Sequence, residues 1–506
     1  MLDKIFSVEQ IRVADQYTID HEPIASIDLM ERAANECFVW LKQKAKKSQS
    51  FTVLCGPGNN GGDGLAIARM LAEDHFPVQV FILNLSDRFS ADFMENRKRI
   101  MDVDHVHIHQ WDEVPQEMPI FRDNTIVIDA IFGSGLSKEI KGMPQKLIRY
   151  LNEQPQIKVA IDIPSGLFAD KAINHSSAVV FQADYTLSFQ FPKWSFLMPE
   201  NEKYVGDWQI LDIGLSREYI EKTPTEKYYM STRFVKSLLK PRGKFSHKGH
   251  FGHVLMVAGD ETKMGAAILS SKAALRMGAG LLTLHHPQSA KSILPIALPE
   301  AMLSLDSDTQ AFSRIPELEK YTHIAVGPGL GTRKQTAKAL KMLIQQAHSP
   351  MLLDADALNI LAENKTWLSF LPKASILTPH IGEFHRLVGQ TKNSFERIEK
   401  ALSFAKKYQI YLIVKGAYTM IFTPSENIYV NSTGNPGMAT GGSGDVLTGM
   451  IAGLLAQQYS SLEAALIGVF MHGLAGDMAA KELSMEILMA GDIIQYIPAA
   501  YKALLS

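Results

Sequence analysis

The chain has 506 residues, enough for about two to four domains at roughly 150 residues each. Its 46% hydrophobic and 21% charged residues are a globular composition and exclude a largely disordered chain. The formal net charge of -2 excludes a general nucleic-acid binder, which needs a strong basic excess. Cys37 and Cys55 are the only cysteines, so there is no disulfide framework and no cysteine zinc site, and both thiols are expected to stay reduced in a cytoplasmic setting.

The opening MLDKIFSVEQIRVADQ turns polar too early for a signal peptide. No apolar run approaches the roughly 18 residues of a membrane span, and the stretch after Asp445 is broken by Gly449, Gly453, Gln457 and Gln458. The first strand signal is FTVLC (51–55), ended by GPGNNGGDG (56–64) and followed by the helical pattern LAIARMLAED. VQVFIL (78–83), TIVIDAIF (125–132), KVAIDIP (158–164) and YTLSFQF (185–191) come next. Short β-rich runs alternating with helical patterns predict a parallel sheet with crossover helices. Three runs end in NNGGD, DAIFGSG and DIPSG. Ligands of open α/β sheets sit beyond the carboxyl ends of strands, so these loops are expected to converge on one site.

In DHVHIHQ, His105, His107 and His109 would share one strand face. No carboxylate or cysteine pattern accompanies them, and the bland reading is a half-exposed strand with Val106 and Ile108 toward the core. The run Lys42–Lys47 reads as the solvated end of a helix. SREYIEKTPTEKYYM (216–230), charged and containing Pro224, is the linker. A second α/β half restarts at GHVLMVAGD (252–260), continues through HIAVGPGLG, MLLDADALN, ASILTPHIGE and YLIVKGAYTMIF, and closes on NPGMATGGSGDVLTG and further helical patterns.

TGGSGDVLTG is the most informative stretch. Gly441, Gly442 and Gly444 let the backbone turn tightly, and a helix beginning near Asp445 offers free N–H groups to an anion. A carboxylate there can accept a hydroxyl proton during phosphoryl transfer; the plain alternative is an N-cap aspartate. GGSGD resembles the anion hole and base of the ribokinase superfamily. SHKGHFGHVLMVAG, MGAAILSSKAALRMGAGLLT, VGPGLG, LLDADALN, LTPHIGEFHRL, VKGAYTMI and NPGMATGGSGDVLTG together resemble the ADP/ATP-dependent NAD(P)H-hydrate dehydratases over nearly all of 240–460. The sequence departs at Lys263-Met264-Gly265, where a Met-Ala-Gly type is common. The resemblance implies that Gly265, Ala266, Gly329 and His380 contact a hydrated nicotinamide dinucleotide. It also implies that Lys415, Gly416, Ala417, Tyr418 and Thr419, with Gly441, Gly442, Ser443 and Gly444, hold ADP, that Asp445 is the base, and that Mg²⁺ balances the phosphate charge. His247, His250 and His253 are read as loop structure or phosphate-side contacts rather than zinc ligands.

GPGNNGGDG lacks the G-x-G-x-x-G spacing of a dinucleotide fingerprint and the ending of a P-loop. With LMERAA (29–34), DAIFGSGL and AIDIPSGL it resembles the NAD(P)H-hydrate epimerase family over about residues 5–215. That resemblance implies substrate binding by Asn59, Asn60, Gly61, Gly62 and Asp63 and by Gly133, Ser134, Gly135, Leu136, Ser137, Lys138 and Glu139. It implies a potassium ion on Asn60, Asp129 and Ser165. Asp162 is the acid–base residue and a substrate contact; read from DIPSG alone, it is as well a strand-end aspartate capping the Pro-Ser-Gly turn.

The expected architecture is a Rossmann-like doubly wound epimerase domain over 1–220 followed by a ribokinase-like α/β dehydratase domain over 226–506. The implied activity is repair of NADH and NADPH hydrated at C6: interconversion of the R and S epimers, then ADP-dependent dehydration of the S form, releasing AMP and phosphate. A homo-oligomer without nucleic-acid or membrane partners is expected. The rivals are a ribokinase-superfamily small-molecule kinase with an N-terminal nucleotide-binding regulatory module, a scaffold without N-terminal chemistry, and a dehydrogenase.

Overall fold

The computed structural model describes residues 3–104, 106–115 and 118–505. Contacts divide the chain into two compact units, Lys4–Thr225 with 393–395, and Glu226 onward with the first three residues. The segment 216–230 is more ordered than a linker: it holds a helix Arg217–Lys222, capped by Ser216, and a strand Lys227–Met230 on either side of Pro224.

After a two-residue strand β1 (Asp3–Lys4), the first unit carries β2 (Ser50–Cys55), β3 (Val78–Leu83), β4 (Val106–Trp111), β5 (Thr125–Ala130), β6 (Ile157–Ile161), β7 (Tyr185–Phe189) and β8 (Asp207–Leu211). They form one sheet in the order β4-β3-β2-β5-β6-β7-β8, parallel throughout. The order reverses between β2 and β5, which defines a doubly wound, Rossmann-like sheet and places the ligand crevice beyond Cys55 and Ala130. Both central strands are almost wholly buried, which is why they read as continuous apolar runs rather than alternating ones.

The glycine-rich segment after β2 differs from the expected loop. Only 56–58 turn; Asn59 already opens the helix Asn59–Glu73. A Cβ on Gly61 would lie 1.8 Å from the Gly56 carbonyl oxygen, so the absence of a side chain lets the helix start press on the strand end. On β4, His107 and His109 are exposed while Val106 and Ile108 pack on the core; His105 lies outside the described residues.

The second unit has β9 (Lys227–Met230), β10 (His253–Val257), β11 (Leu281–His286), β12 (Met302–Leu305), β13 (His323–Val326), β14 (Met351–Leu353), β15 (Ile376–Leu377), β16 (Tyr411–Val414), β17 (Met420–Phe422) and β18 (Ile428–Asn431). The sheet runs β1-β9-β18-β17-β16-β15-β14-β13-β10-β11-β12. Only the two pairings made by β17 are antiparallel among those described. Its order reverses between β13 and β10, so the second crevice lies beyond Val257 and Val326.

Helix Ser443–Ala456 packs against Met264–Arg276 so closely that a Cβ on Gly449 would stand 2.0 Å from the Ser270 carbonyl oxygen. Helix Ser461–Leu483 has the length and mean hydropathy of a membrane span, but two thirds of its apolar window is buried, and Ala464, Leu466, Val469 and Met471 belong to the unit's core. Both cysteines are free and buried. His247 and His250 form a reciprocal cap around the turn Lys248–Phe251, and His253 bonds Thr283, a structural use of these histidines.

Candidate active sites

In the first unit, the loops after β2, β5 and β6 close around a cavity of about 710 Å³. Asn59, Asn60, Asp63, residues 133–138 and Asp162 line it together. The helix Asn59–Glu73 starts at Gly58 without any side-chain cap, leaving first-turn N–H groups available beside the cavity. Gly61 and Gly62 serve packing instead, Gly62 against the Met30 sulfur. Glu139 stands away from the cavity and accepts a bond from Ser177.

Asp162 directly follows β6 and holds a left-handed φ of +66°, a conformation strained for a residue with a side chain and one that recurs at functional sites. Its two oxygens are fixed: Lys193 Nζ stands 2.7 Å from Oδ1, and Ser134 N–H donates to Oδ2 at 3.0 Å. The turn-capping role is therefore not what holds it. Burial alone would raise its pKa, but the Lys193 charge and the Ser134 bond outweigh burial and hold it below the ordinary carboxylate range. Lys193 is 1% exposed and also donates to Ser188 Oγ at 3.0 Å. Asp63 goes the other way: burial, then Asp162 and Asp15, lift its pKa well above the ordinary range.

Asp129 is fully buried beneath the cavity. It accepts bonds from Ser165 Oγ at 2.7 Å, Ser165 N at 2.8 Å and Ile131 N at 3.1 Å. Burial raises its pKa to about 6, with the Ser165 bonds opposing. Phe132 N donates to Ser165 Oγ, and the next residue, Gly133, lies against both the Asn60 side chain and Asp162 Oδ2. Both polar atoms of the buried Asn60 side chain lack a partner among the described residues. Such atoms are costly unless a ligand, ion or water completes them.

In the second unit, a cavity of about 740 Å³ is lined by Lys415, Gly416, Ala417, Thr419, Ser443 and Gly444, with His380 at its border. Tyr418, Gly441, Gly442 and Asp445 do not line it; Asp445 directly follows the lining Gly444. Gly442 is the N-cap of helix Ser443–Ala456, in a left-handed conformation and without a side-chain bond. Asp445 is thus the third helical residue rather than the cap. Lys415 Nζ, just past β16, is 2.9 Å from Asp354 Oδ1, and Thr448 donates to Asp354 Oδ2 at 2.6 Å. Burial, then the nearby Asp354, lift the Asp445 pKa to about 6, with Lys415 opposing. His380 accepts the Gly382 N–H on Nδ1 and caps helix Ile381–Val388, which accounts for its position beside Lys415.

Gly265, Ala266 and Gly329 form a separate group at the β10–β13 reversal. Gly329, at φ +59°, lies so near Lys263 that a Cβ would be 2.6 Å from its carbonyl oxygen. Lys263, the departure noted in the sequence, pairs with Asp356 at 3.0 Å, and Asp356 also accepts the Gly331 N–H at 2.8 Å. Asp445 feels both Lys415 on the cavity side and Asp356 on the glycine side.

Sequence reading missed Lys193, Arg12, Asp15 and His472. A lysine inside the apolar FPKWSFL was a signal for the first. His472 was a lone imidazole in an apolar helix; it lines the second cavity, bonds the Ser443 carbonyl at 3.0 Å, and burial pushes its pKa down to about 4, so it is neutral.

The profile of the NAD(P)H-hydrate dehydratase family matches residues 254–499, and that of the YjeF-related protein N-terminus matches 26–195. The bifunctional NAD(P)H-hydrate repair enzyme of Thermofilum pendens is 35% identical, covering 99% of this chain and 97% of the relative. The bifunctional repair enzyme of Moorella thermoacetica is 35% identical over 94% and 92%, and that of Escherichia coli 31% identical over 97% and 92%. A solved ADP/ATP-dependent NAD(P)H-hydrate dehydratase from Bacillus subtilis, co-crystallised with ATP and Mg²⁺, is 32% identical, with a TM-score of 0.48 over 54% of this chain and 97% of its own. The fold class is as expected in being α/β throughout, a doubly wound, Rossmann-like sheet followed by a second α/β domain, and full-length kinship to bifunctional repair enzymes disfavours a kinase with a regulatory module. By both profiles and by relatives matched end to end, the chain belongs to the bifunctional NAD(P)H-hydrate repair enzyme family.

Proposed function

We propose that the two cavities perform consecutive steps on NADH and NADPH hydrated at C6, residues 1–220 interconverting the R and S epimers and residues 226–506 dehydrating the S form at the expense of ADP. One observation carries this reading. Each half sets an uncapped helix N-terminus, suited to phosphate, beside a carboxylate suited to proton transfer: Gly58–Asn59 with the buried Asp162, and Gly442–Ser443 with the half-buried Asp445.

In the first step the anionic part of the substrate rests on the amides of 58–60 and of loop 133–138, and Asp162, kept ionised by Lys193, exchanges a proton at the C6 centre. A potassium ion would be held by Asn60, whose side-chain oxygen has no partner among the described residues, together with Asp129 and Ser165, which bring hard oxygen donors of the right kind. When bound, it supplies positive charge near the substrate phosphates.

In the second step Lys415 and the amides of 441–444 hold ADP, and Gly265, Ala266 and Gly329 at the β10–β13 reversal, with His380 from the cavity wall, hold the dinucleotide. Asp445 takes the C6 hydroxyl proton as that oxygen attacks phosphorus. AMP departs, the C6–O bond then breaks to release phosphate, C5 gives up a proton to the departing phosphate, and the C5–C6 double bond returns. Among the described residues no three His, Cys, Asp or Glu side chains converge on a metal-sized site, so Mg²⁺ in this half is carried by the nucleotide phosphates. The reading includes a homo-oligomer in the cytoplasm, which light scattering and fractionation check.

The test is incubation of the protein with mixed-epimer hydrated NADH and ADP. Recovery of the reduced ring's absorbance, with AMP and phosphate released in equal amounts, is expected. A stable phosphorylated product, or ADP consumed without ring recovery, overturns the reading.

A further inference from the structure

We propose that Asp15 is the second proton-transfer group of the N-terminal site, acting across the cavity from Asp162; this rests on reading that site as an epimerase. Helix Val8–His21 presents Ile11, Arg12 and Asp15 to the cavity wall, one turn of spacing that puts them on a single face. Asp15 also lines an adjoining cavity of about 350 Å³, so it stands at the junction of the two. It sits mid-helix, where a carboxylate caps nothing, and no hydrogen bond or ion pair engages it among the described residues. Asp162, by contrast, has both oxygens engaged.

The two carboxyls are set apart in proton affinity. Burial, then the charge of Asp162, raises the Asp15 pKa to about 7, while Lys193 opposes. The remaining charged groups lining the two cavities with it are Arg12 on its own helix, Asp63 on the helix after β2, Lys138 on the loop after β5, and Asp92, whose charge reaches Asp63. Neighbouring groups whose surroundings drive their pKa values apart divide naturally into acid and base.

Epimerisation at C6 needs such a pair. C6 of the hydrated ring carries a hydroxyl and is bonded to N1. Asp162 takes the hydroxyl proton as the C6–N1 bond breaks, leaving an aldehyde at C6. The electron pair of the broken bond stays on N1, which takes the proton of Asp15. Rotation about C5–C6 presents the other aldehyde face, N1 attacks it, its proton returns to Asp15, and the new hydroxyl takes its proton from Asp162. No oxidant, reductant or added water enters.

The test uses the full chain with purified R-epimer hydrate and ADP, so that ring absorbance appears only after epimerisation; S-epimer hydrate is the control. With Asp15→Asn, R-epimer turnover is expected to fall about 10²–10⁴-fold, with KM nearly unchanged and S-epimer dehydration untouched. In the wild type, kcat/KM for the R epimer should decline above about pH 7, as Asp15 loses its proton. Asp15→Asn should lose that alkaline limb, and Asp15→Glu should restore part of the rate with the limb intact. Full-speed R-epimer turnover by Asp15→Asn overturns the proposal. So does a slowed variant that keeps the wild-type alkaline limb, since a merely structural aspartate would do that. A wild-type chain that converts the S epimer and never the R epimer overturns the epimerase reading itself.

Discussion

Asp445→Asn should move catalysis and stability in opposite directions. The carboxylate stands on the third residue of helix Ser443–Ala456, where a negative charge ordinarily stabilises by about 0.3–1 kcal/mol. Burial and the neighbouring Asp354 more than cancel that benefit and raise the pKa from 3.8 to about 6. The gap corresponds to about 3 kcal/mol at about 1.36 kcal/mol per pH unit, and partial exposure of the side chain reduces it to about 1–3 kcal/mol. A carboxyl with a raised folded-state pKa binds its proton more tightly when folded. Its contribution is therefore full below the unfolded value of 3.8 and lost as the pH rises through about 6. At pH 8 the ionised group destabilises the fold, and asparagine removes that penalty. The C-terminal melting transition of the variant should thus rise at pH 8, by about 2–4 °C per kcal/mol, and the difference should narrow toward pH 5. Dehydration should fall about 10²–10⁴-fold while ADP affinity holds or improves, because Lys415 and the loop amides remain and one repelling charge is gone. Calorimetry, ring absorbance and melting on one preparation check all three. A variant that melts lower at pH 8 and loses ADP binding together with turnover refutes the reasoning: the carboxylate then holds the helix start. Unchanged turnover puts the base elsewhere.

Asp162→Asn should abolish epimerisation and spare dehydration, so that a mixed-epimer substrate is repaired quickly for one epimer and then stalls; the time course of ring absorbance, with spontaneous epimerisation subtracted, shows it. Lys193→Met should strand Asp162 without its buried partner and lower stability by about 3–5 kcal/mol at pH 7. Without Lys193, burial dominates and Asp162 passes from a lowered to a raised pKa, so the cost of its charge falls away as acid protonates it; melting at pH 7 and pH 4 should show the loss shrinking. The same variant should epimerise better as the pH is raised, because Asp162 then ionises only at higher pH. Fragments 1–220 and 226–506 should each fold and keep one activity; an insoluble C-terminal fragment, or one that consumes no hydrate, favours catalysis shared across the boundary.

The sheets were legible because strands buried on both faces, such as 51–55 and 125–130, leave unbroken apolar runs with polar residues where they emerge. The ends of those runs also located the site, since a parallel sheet gathers its carboxyl ends at one edge. Local reading failed where a residue's meaning lies in its partner. Nothing near Asp162 in sequence announces Lys193, which approaches from beyond the next strand. Asp15 and Arg12 sit in a polar helix whose pattern shows amphipathicity and no chemistry. The segment 59–64 looked like a loop because it is rich in glycine, but its glycines serve close helix–strand packing that only the tertiary fold reveals.

The two units share an electrostatic arrangement. In each, a lysine fixes one aspartate, the buried Lys193 on Asp162 and the partly exposed Lys415 on Asp354, and a second carboxyl nearby has its proton affinity raised, Asp15 and Asp445. A dinucleotide bearing several phosphates would be repelled by bare carboxylates in a low-dielectric cavity. Pairing one with a lysine and raising the proton affinity of the other reduces that repulsion while keeping two groups able to exchange protons. The arrangement also makes the lysines do different work despite their similar partners. Lys193 also lines its cavity, but it is 1% exposed and its ammonium is taken up by Asp162, Ser188 Oγ and the Phe189 carbonyl, so it tunes a base. Lys415 lines the cavity, so it can meet an incoming phosphate. Were a phosphate to draw Lys415 away from Asp354, the charge of Asp354 would bear more heavily on Asp445 and raise that carboxyl's proton affinity. Substrate hydroxyl ionisation in the C-terminal half should therefore be favoured by nucleotide binding through Asp445 itself.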